Sequence, residues 1–573
     1  MECAPAFNYA RDEHTMEIVD DESKSVGAKP QKKVVFTSKD LTLDLRYILD
    51  YAKPDQPPEH SQAAHPVPQD EEHCHADFKE LDLKAKGHKG VSACLEITLE
   101  EGNAIWFILR DVPVTPKSHP APRKLSQLTE QALSEGVDVS VAIRGAAALR
   151  PDNDPVLTTN LCNSLYEDTN KYWVTWINKS TYKGRWREAV HRSALALKLL
   201  TYEPTGAVVA SPTFSLPEFI GGTRNWDYRY TWIRDASFTL YALIRLGFTD
   251  EANAYMGFIF SRLAERNKDG SLNIMYTIHG KKDLGEEELD HLDGHKGSKP
   301  VRIGNGAMSH IQLDIYGELM DCVYLSQKFG RPIGYDTWLD IRELIEFVIK
   351  NIHRTDLSIW EVRSKERNFV YSKVMMWVAI DRGLRLAEKR SLPCPRRNEW
   401  TLARDSLYEE IMEKGWNKEK RFFGQSYEDL DIIDASLLVM PLVFFVAPTE
   451  PRFLSTLKQI LKSPGQGGLT ANNLVFRYDT AKSEDGVGGE EGAFSLTTLW
   501  AVEALGRAGH YDPAMLRKAV AIFEDFLGFG NHCGLFSEEI SPAGEGLGNA
   551  VQGFTHVTLI SAAYNLSRNL GQS

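Results

Sequence analysis

The chain has 573 residues, of which 42% are hydrophobic and 25% charged. This ordinary globular composition excludes wholesale disorder and a collagen-like fibre. A net charge of −13 argues against nucleic acid and anionic membranes as partners, because both need a basic surface, and the longest apolar run, near 437–446, falls far short of the ~20 residues of a membrane span.

The N-terminal part, residues 1–182, is predicted to be an antiparallel β-sandwich. Apolar residues alternate over 93–99, a turn-like Glu-Glu-Gly-Asn follows, and 104–109 is a second apolar run, which together indicate a hairpin. Further strand candidates are 35–37 and 172–177. Such alternation is typical of sheets that bury one face.

No basic and apolar leader follows Met1, and the seven cysteines are scattered. We therefore expect a cytoplasmic protein without a disulfide framework. The segment at about 52–77 is rich in Pro, Gln, Glu and His and is predicted to be a flexible insertion. Its His73-Cys74-His75 run has no fixed surroundings that would orient metal ligands.

From about residue 186 the apolar pattern has the period of helices. We predict a helical linker over 183–215 and an all-α domain over 216–573. A helical region of this length is too large for a four-helix bundle and suits a closed ring of helical hairpins, each burying its face against its neighbours. Loops at one end of such a ring converge, so function is expected on them.

The loop 224–235 packs four aromatic residues, three arginines and two aspartates together. Aromatic faces suit sugar rings, and Arg and Asp suit hydroxyl groups. The alternative is structural, with Asp235 as a helix N-cap and Arg234 as its salt-bridge partner.

Four further regions carry polar groups at the ends of predicted helices. In 302–307, glycines flank Asn305 and allow a close approach to the backbone. The alternative is that this loop is only the start of a helix. Glu361 follows Trp360, an apolar neighbour that can raise a carboxyl pKa as a general acid requires, or it simply faces solvent. The glutamates of 490–494 and 534–539 are either functional or surface charge.

Carboxylates at several helix ends fit glycoside hydrolysis, which needs one protonated and one ionised carboxyl on opposite sides of the bond. The sequence shows no phosphate-binding loop, dinucleotide fingerprint, zinc motif or serine elbow. We therefore expect neither a cofactor nor a metal, and a carbohydrate as the partner. The sequence leaves open whether the protein forms a homo-oligomer.

The run from Asn225 to Asp235 resembles the signature of glycoside hydrolase family 15, which holds glucoamylases, glucodextranases and bacterial and archaeal trehalases. Trp360-Glu361-Val362-Arg363, Glu491-Gly492-Ala493-Phe494 and the 535–556 segment match in the expected order. The resemblance covers nearly the whole chain. It implies an (α/α)6 barrel, α-linked glucosides as substrates and an inverting mechanism.

The resemblance also implies roles for individual residues. Arg234 and Asp235 match the pair that holds the non-reducing glucose, Glu361 matches the general acid, and Arg477 lines the neighbouring sugar site. The remaining side chains predicted to bind substrate are Trp226, Tyr230, Trp232, Asn305, Trp360, Arg363, Glu491 and His556.

Glu538 is the favoured general base, with Glu539, Glu545 and Glu491 as alternatives in that order. The 548–556 segment departs from the usual Gly-Asn-Phe-Pro-Gln-Ala-Phe-Ser-His pattern, so an altered pocket wall is expected. Trehalose or a short α-glucan is the favoured substrate. The competing function is a catalytically inactive (α/α)6 module that binds carbohydrate or regulates a partner.

Overall fold

The computed structural model describes residues 1–21, 31–50, 76–112, 157–329 and 332–571. The predicted insertion at 52–77 lies outside these ranges except for its last two residues. The chain divides into two compact units, Met1–Val174 and Thr175–Ser573. Across the described ranges, no helix is both long and apolar enough to cross a membrane.

The N-terminal unit is built from antiparallel sheets. Its strands are β1 (Glu2–Cys3), β2 (Thr15–Asp20), β3 (Lys32–Thr37), β4 (Thr42–Asp50), β5 (Phe78–Asp82), β6 (Val91–Leu95) and β7 (Ala104–Asp111). One sheet has the order β2-β3-β4-β7 and the other β1-β6-β5. Side chains from both sheets, among them Phe36, Tyr47, Phe78 and Leu95, form one buried cluster. The predicted antiparallel character is confirmed.

The predicted hairpin of 93–109 is wrong in its pairing. The turn is present, since Asn103 N–H donates to the Glu100 carbonyl at 3.0 Å, but β6 pairs with β1 and β5 whereas β7 pairs with β4. The connection therefore passes from one sheet to the other. Alternation reports which face of a strand is buried and does not identify its neighbour.

The second unit is mainly helical. Its helices are α1 (Thr159–Ile177), which begins in the first unit, α2 (Arg187–Leu199), α3 (Ile233–Leu246), α4 (Thr249–Leu263), α5 (Ile315–Phe329), α6 (Tyr335–Lys350), α7 (Val370–Lys389), α8 (Arg397–Lys414), α9 (Pro451–Ile460), α10 (Ser495–Ala508), α11 (Pro513–Leu527) and α12 (Gly553–Asn569). The apolar period predicts most of them, but it misses α4 and also α1, which lies in the region predicted to be a β-sandwich.

Six elements form a closed inner ring. Helix α3 packs on α5, α5 on α7, α7 on a 3₁₀ segment at Ala435–Val439, that segment on α10, α10 on α12, and α12 back on α3. Helix α7 is buried almost all round, as expected for an element covered on both sides. Of the other helices, α4 packs on α3, α8 packs on α7, and α11 packs on α10 and α12.

Two predictions at the junction are corrected. Residues 172–177 are helical, not a strand, and there Trp176 stacks on Phe248 with ring centroids 4.1 Å apart. The predicted linker 183–215 lies inside the second unit, because α2 buries Val190, Ala194 and Leu197 and packs on α12.

Short strands bind the loops together at one end of the ring. They are β8 (Thr201–Tyr202), β9 (Ala207–Val208), β10 (Phe214–Pro217), β11 (Asn225–Asp227), β12 (Thr231–Trp232), β13 (Met275–Tyr276), β14 (Glu287–Glu288), β15 (Arg302–Ile303), β16 (Trp416–Asn417), β17 (Phe422–Phe423), β18 (Thr470–Ala471), β19 (Leu474–Val475), β20 (Ala493–Phe494), β21 (Ser537–Ile540) and β22 (Gly546–Ala550). The last five form one antiparallel sheet in chain order. These strands give the loops fixed positions.

Candidate active site

A cavity of about 860 Å³, counting space open to solvent, lies among the loops of the second unit. Loops distant in sequence supply its wall. Predicted site residues that line it are Trp226, Trp232, Arg234, Asp235, Asn305, Trp360, Glu361, Arg363, Arg477 and Glu538. The structure therefore brings both predicted catalytic carboxylates to one cavity.

Glu361 is held in place by two donors. Its Oε1 accepts hydrogen bonds from Trp232 Nε1 at 2.8 Å and from Arg234 Nη2 at 3.0 Å. Its backbone φ of 54° is in the left-handed region that a non-glycine residue rarely adopts, and such strain is concentrated at functional sites. With its side chain 20% exposed, Glu361 can reach a ligand in the cavity.

Arg234 occupies an enclosed part of the wall. Its Nη1 donates to Gln312 at 2.7 Å and to Asp314 at 3.0 Å, while its Nη2 donates to Glu361. These partners fix the guanidinium. The neighbouring Asp235 lies in the first turn of α3, whose N-cap is Trp232, so the N-cap alternative for Asp235 is wrong. Burial raises the pKa of Asp235 to about 7, against the opposing effect of Arg234.

Glu538 enters the cavity from strand β21. Neighbouring residues of a strand point to opposite faces, so Glu538 lines the cavity while the Glu539 carboxylate turns away and accepts the Gly492 N–H at 2.6 Å. Gly548 on β22 makes room for Glu538, because a Cβ there would lie 2.6 Å from Glu538 Oε2. A glycine is therefore required beside this carboxylate.

Three donors contact the Glu538 carboxylate. The Tyr228 hydroxyl donates to Oε1 at 2.7 Å, Gln552 Nε2 to the same oxygen at 3.2 Å, and the Asn549 N–H to Oε2 at 3.4 Å. Burial, followed by the charge of Glu218, raises the pKa of Glu538 to about 8, while Tyr228 and Arg477 oppose the rise. A pKa in this range suits a carboxyl to acid–base chemistry near neutral pH.

The three alternative bases lie elsewhere. Glu539 is completely buried behind the wall, Glu545 is exposed at a turn, and Glu491 binds the Arg477 guanidinium with contacts of 2.5–3.0 Å. None of them lines the cavity. Geometry therefore favours Glu538.

Two of the tryptophans that line the cavity are held by charged neighbours. Arg363 Cζ lies 4.3 Å and Arg302 Cζ 4.9 Å from the centre of a Trp226 ring. Trp360 Nε1 donates to both oxygens of buried Asp434 at 3.0 Å. These contacts hold both rings in fixed positions in the cavity wall.

Three residues predicted to bind substrate lie outside the cavity lining: Tyr230, His556 and Glu491, which pairs with Arg477. The Tyr230 hydroxyl reaches Asp227 at 3.4 Å. His556 is completely buried, and its ring contacts Ser193 and the Phe536 N–H. Burial lowers the pKa of His556 to about 3, so it is neutral and joins α12 to α2. The prediction that Tyr230, His556 and Glu491 bind substrate is therefore corrected, because none of the three lines the cavity.

Asn305 lines the cavity and also has a structural role. Its Oδ1 accepts the Ala307 N–H at 3.0 Å and caps the 3₁₀ turn Gly306–Ser309. The plain helix-start interpretation of this loop is therefore correct for the Asn305 oxygen. Its amide nitrogen contacts the Asp227 carbonyl at 3.4 Å.

Sequence reasoning missed Glu218 and Gln552, both of which line the cavity. It assigned Tyr228 only an aromatic role, whereas the hydroxyl binds Glu538. The one signal for Glu218 is a Pro217-Glu218 pair shortly before the aromatic loop. Within the described part of the chain, no group of three or more His, Cys, Asp or Glu side chains could hold a metal ion.

Comparison with known proteins places this site in a family. Residues 184–564 match the model for glycosyl hydrolases family 15. The chain belongs to this family. The trehalase of Mycobacterium tuberculosis is 37% identical over 466 residues, covering 79% of this chain and 66% of that protein, and the trehalase of Thermoplasma acidophilum is 37% identical over 401 residues, covering 70% and 66%.

The chain thus aligns with just under two thirds of the length of each of these relatives. Among solved structures, the glucoamylase of Saccharomycopsis fibuligera aligns with a TM-score of 0.52 at 14% identity, over 70% of this chain and 96% of that one. The aligned part of this chain therefore has the same fold as that glucoamylase.

Proposed function

We propose that the protein is an exo-acting, inverting glycoside hydrolase that releases glucose from an α-glucoside, with trehalose or a short α-glucan favoured. One observation carries the proposal. Glu361 and Glu538, brought from loops far apart in sequence, face one cavity that also holds the Arg234–Asp235 pair. This supplies the two carboxyls that glycoside hydrolysis needs.

The proposed reaction uses the two carboxyls in sequence. Glu361 protonates the glycosidic oxygen as the bond to the anomeric carbon breaks, and Glu538 takes a proton from a water molecule that attacks that carbon from the opposite face. Inversion needs room for this water, and carboxyls about 6.5–9.5 Å apart provide it. Arg234 and Asp235 hold the hydroxyls of the glucose that is released.

Two finer features of the fold belong to this proposal. The shared core of the two N-terminal sheets supports a β-sandwich, and the closed ring of six inner elements with helices outside supports an (α/α)6 barrel. In such a barrel the loops at one end form the pocket, which agrees with where the lining residues lie.

A substrate panel tests the function. Purified protein is incubated with trehalose, maltose, isomaltose and soluble starch, and the glucose released is followed by proton NMR. From trehalose we expect equal amounts of β-glucose, from the inverted anomeric carbon, and α-glucose, from the leaving sugar, with trehalose or a short glucan turned over fastest. Early release of α-glucose alone from trehalose would refute inversion. Fastest turnover of starch would refute the substrate preference, and binding without turnover would identify an inactive module.

A further inference from the structure

Glu218 is a buried carboxylate in the cavity wall that the proposed mechanism does not use. It follows β10 directly, is 2% exposed and lines the cavity. Its Oε1 accepts a hydrogen bond from Trp226 Nε1 at 2.8 Å. Its Oε2 is buried and has no hydrogen-bond partner. A buried carboxylate oxygen that accepts no hydrogen bond lowers the stability of the fold. A donor on a bound ligand would supply the missing hydrogen bond.

The two nearest cations do not satisfy this oxygen. Arg224 Nη1 and Arg477 Nη2 each lie 3.8 Å from Glu218 Oε2, beyond hydrogen-bond distance. Both guanidiniums are committed to other carboxylates, Arg224 to Asp485 at 2.5 Å and Arg477 to Glu491 at 2.5 Å. Oε2 therefore lies in a positive field but still lacks a donor.

Glu218 lies beside Trp226 in the cavity wall. Trp226 in turn lies against Arg363, whose side chain is 29% exposed, whereas Arg234, which contacts Glu361, is 6% exposed. The wall thus has a solvent-exposed end at Arg363, next to Trp226, and an enclosed end at Arg234, next to Glu361. If the released glucose occupies the enclosed end, the departing group lies towards Trp226 and Glu218.

We propose that Glu218 recognises the leaving sugar, with Oε2 accepting a hydrogen bond from one of its hydroxyl groups. This inference rests on the proposed function. A hydroxyl both donates and accepts, so it can bind Glu218 while its oxygen faces Arg224 or Arg477. A hydroxyl-bearing leaving group fits this position, whereas a leaving group without hydroxyls leaves Oε2 unpaired.

The test compares two substrates in one variant. Glu218→Gln is assayed with trehalose (or maltose, if the wild type prefers it) and with α-glucosyl fluoride, whose leaving group makes no sugar contact. Each substrate is measured at its own pH optimum. We expect kcat/KM for the disaccharide to fall about 10- to 150-fold, which is the range for the loss of a hydrogen bond to a charged group. For α-glucosyl fluoride, kcat/KM should change less than about threefold.

The ratio of the two kcat/KM values does not depend on the fraction of correctly folded protein. Should Glu218→Gln fail to accumulate, Glu218→Asp, which withdraws the carboxylate by one methylene, is expected to show the same selective loss. Glu524→Gln is the matched control, because Glu524 pairs with Arg185 on the surface; it should leave the ratio unchanged.

Each outcome is decisive. A wild type that releases glucose from no substrate overturns the proposed function and this inference with it. If the wild type is active, equal losses on both substrates would mean that Glu218 acts at the reaction centre, and no loss on either would mean that it binds nothing. Both results overturn the inference and leave the proposed function standing.

Discussion

Removing the Tyr228 hydroxyl tests whether Glu538 is the general base. Tyr228→Phe deletes one oxygen, which donates to Glu538 Oε1 at 2.7 Å, the shortest of the three contacts to that carboxylate. A hydrogen bond to a charged group is worth about 1.5–3 kcal/mol. Gln552 still contacts the same oxygen, so we expect the lower end, about 1.5 kcal/mol, or roughly tenfold in rate.

The sign of the pH effect follows from the charge on Glu538. Burial raises the pKa of this carboxyl to about 8, although the hydrogen bond from Tyr228 lowers it. Deleting the donor therefore raises the pKa of Glu538 further. Because a base must be ionised to act, the ascending limb of kcat/KM against pH should move to higher pH. The loss of kcat/KM should therefore be largest at pH values below this limb.

The assay is kcat/KM for trehalose measured across the pH range, in wild type and variant. Tyr182→Phe is the matched control, since its buried hydroxyl contacts Ser567 at 2.8 Å away from the cavity lining; we expect its profile to coincide with that of the wild type. An unchanged ascending limb in Tyr228→Phe, or a shift to lower pH, would refute the assignment of Glu538 as the base.

Two further predictions concern the acid and the inner ring. Glu361→Gln should lower trehalose turnover about 10²-fold or more, since acid catalysis contributes about 10²–10⁴, but should spare α-glucosyl fluoride because fluoride leaves without protonation; a near-wild-type rate on trehalose would exclude Glu361 as the acid. Gly317→Ala places a Cβ 2.2 Å from the Met375 carbonyl oxygen between α5 and α7, so urea unfolding should show a loss of about 1–3 kcal/mol in stability. An added Cβ at Gly257 in α4 meets nothing within 4 Å, so Gly257→Ala should not destabilise, and equal losses in both variants would contradict the packing argument.

Local sequence accounts for much of the site. Aromatic and charged residues concentrated in 224–235 predict a sugar-binding loop, and ten of the predicted site residues line the cavity. The period of apolar residues predicts most helices because a helix buries one face, whatever it packs against. The order of short motifs along the chain identifies the family, which a model over 184–564 confirms.

The pairing of strands and the burial of individual side chains depend on contacts between residues that are distant in sequence. The same alternation that predicts β6 and β7 cannot indicate that they join different sheets. Glu538 and Glu539 are adjacent and identical in type, and only the registers of β21 with β20 and β22 turn one into the cavity and the other behind it.

The sequence by itself therefore determined the family, the helical and strand character of the two units, and the loops that carry the chemistry, because these depend on residue type and short spacing. Tertiary structure decided which carboxylates share the cavity and which are paired. Glu218 shows why: its burial, its contact with Trp226 and its unpaired oxygen arise from loops that meet only in the folded chain.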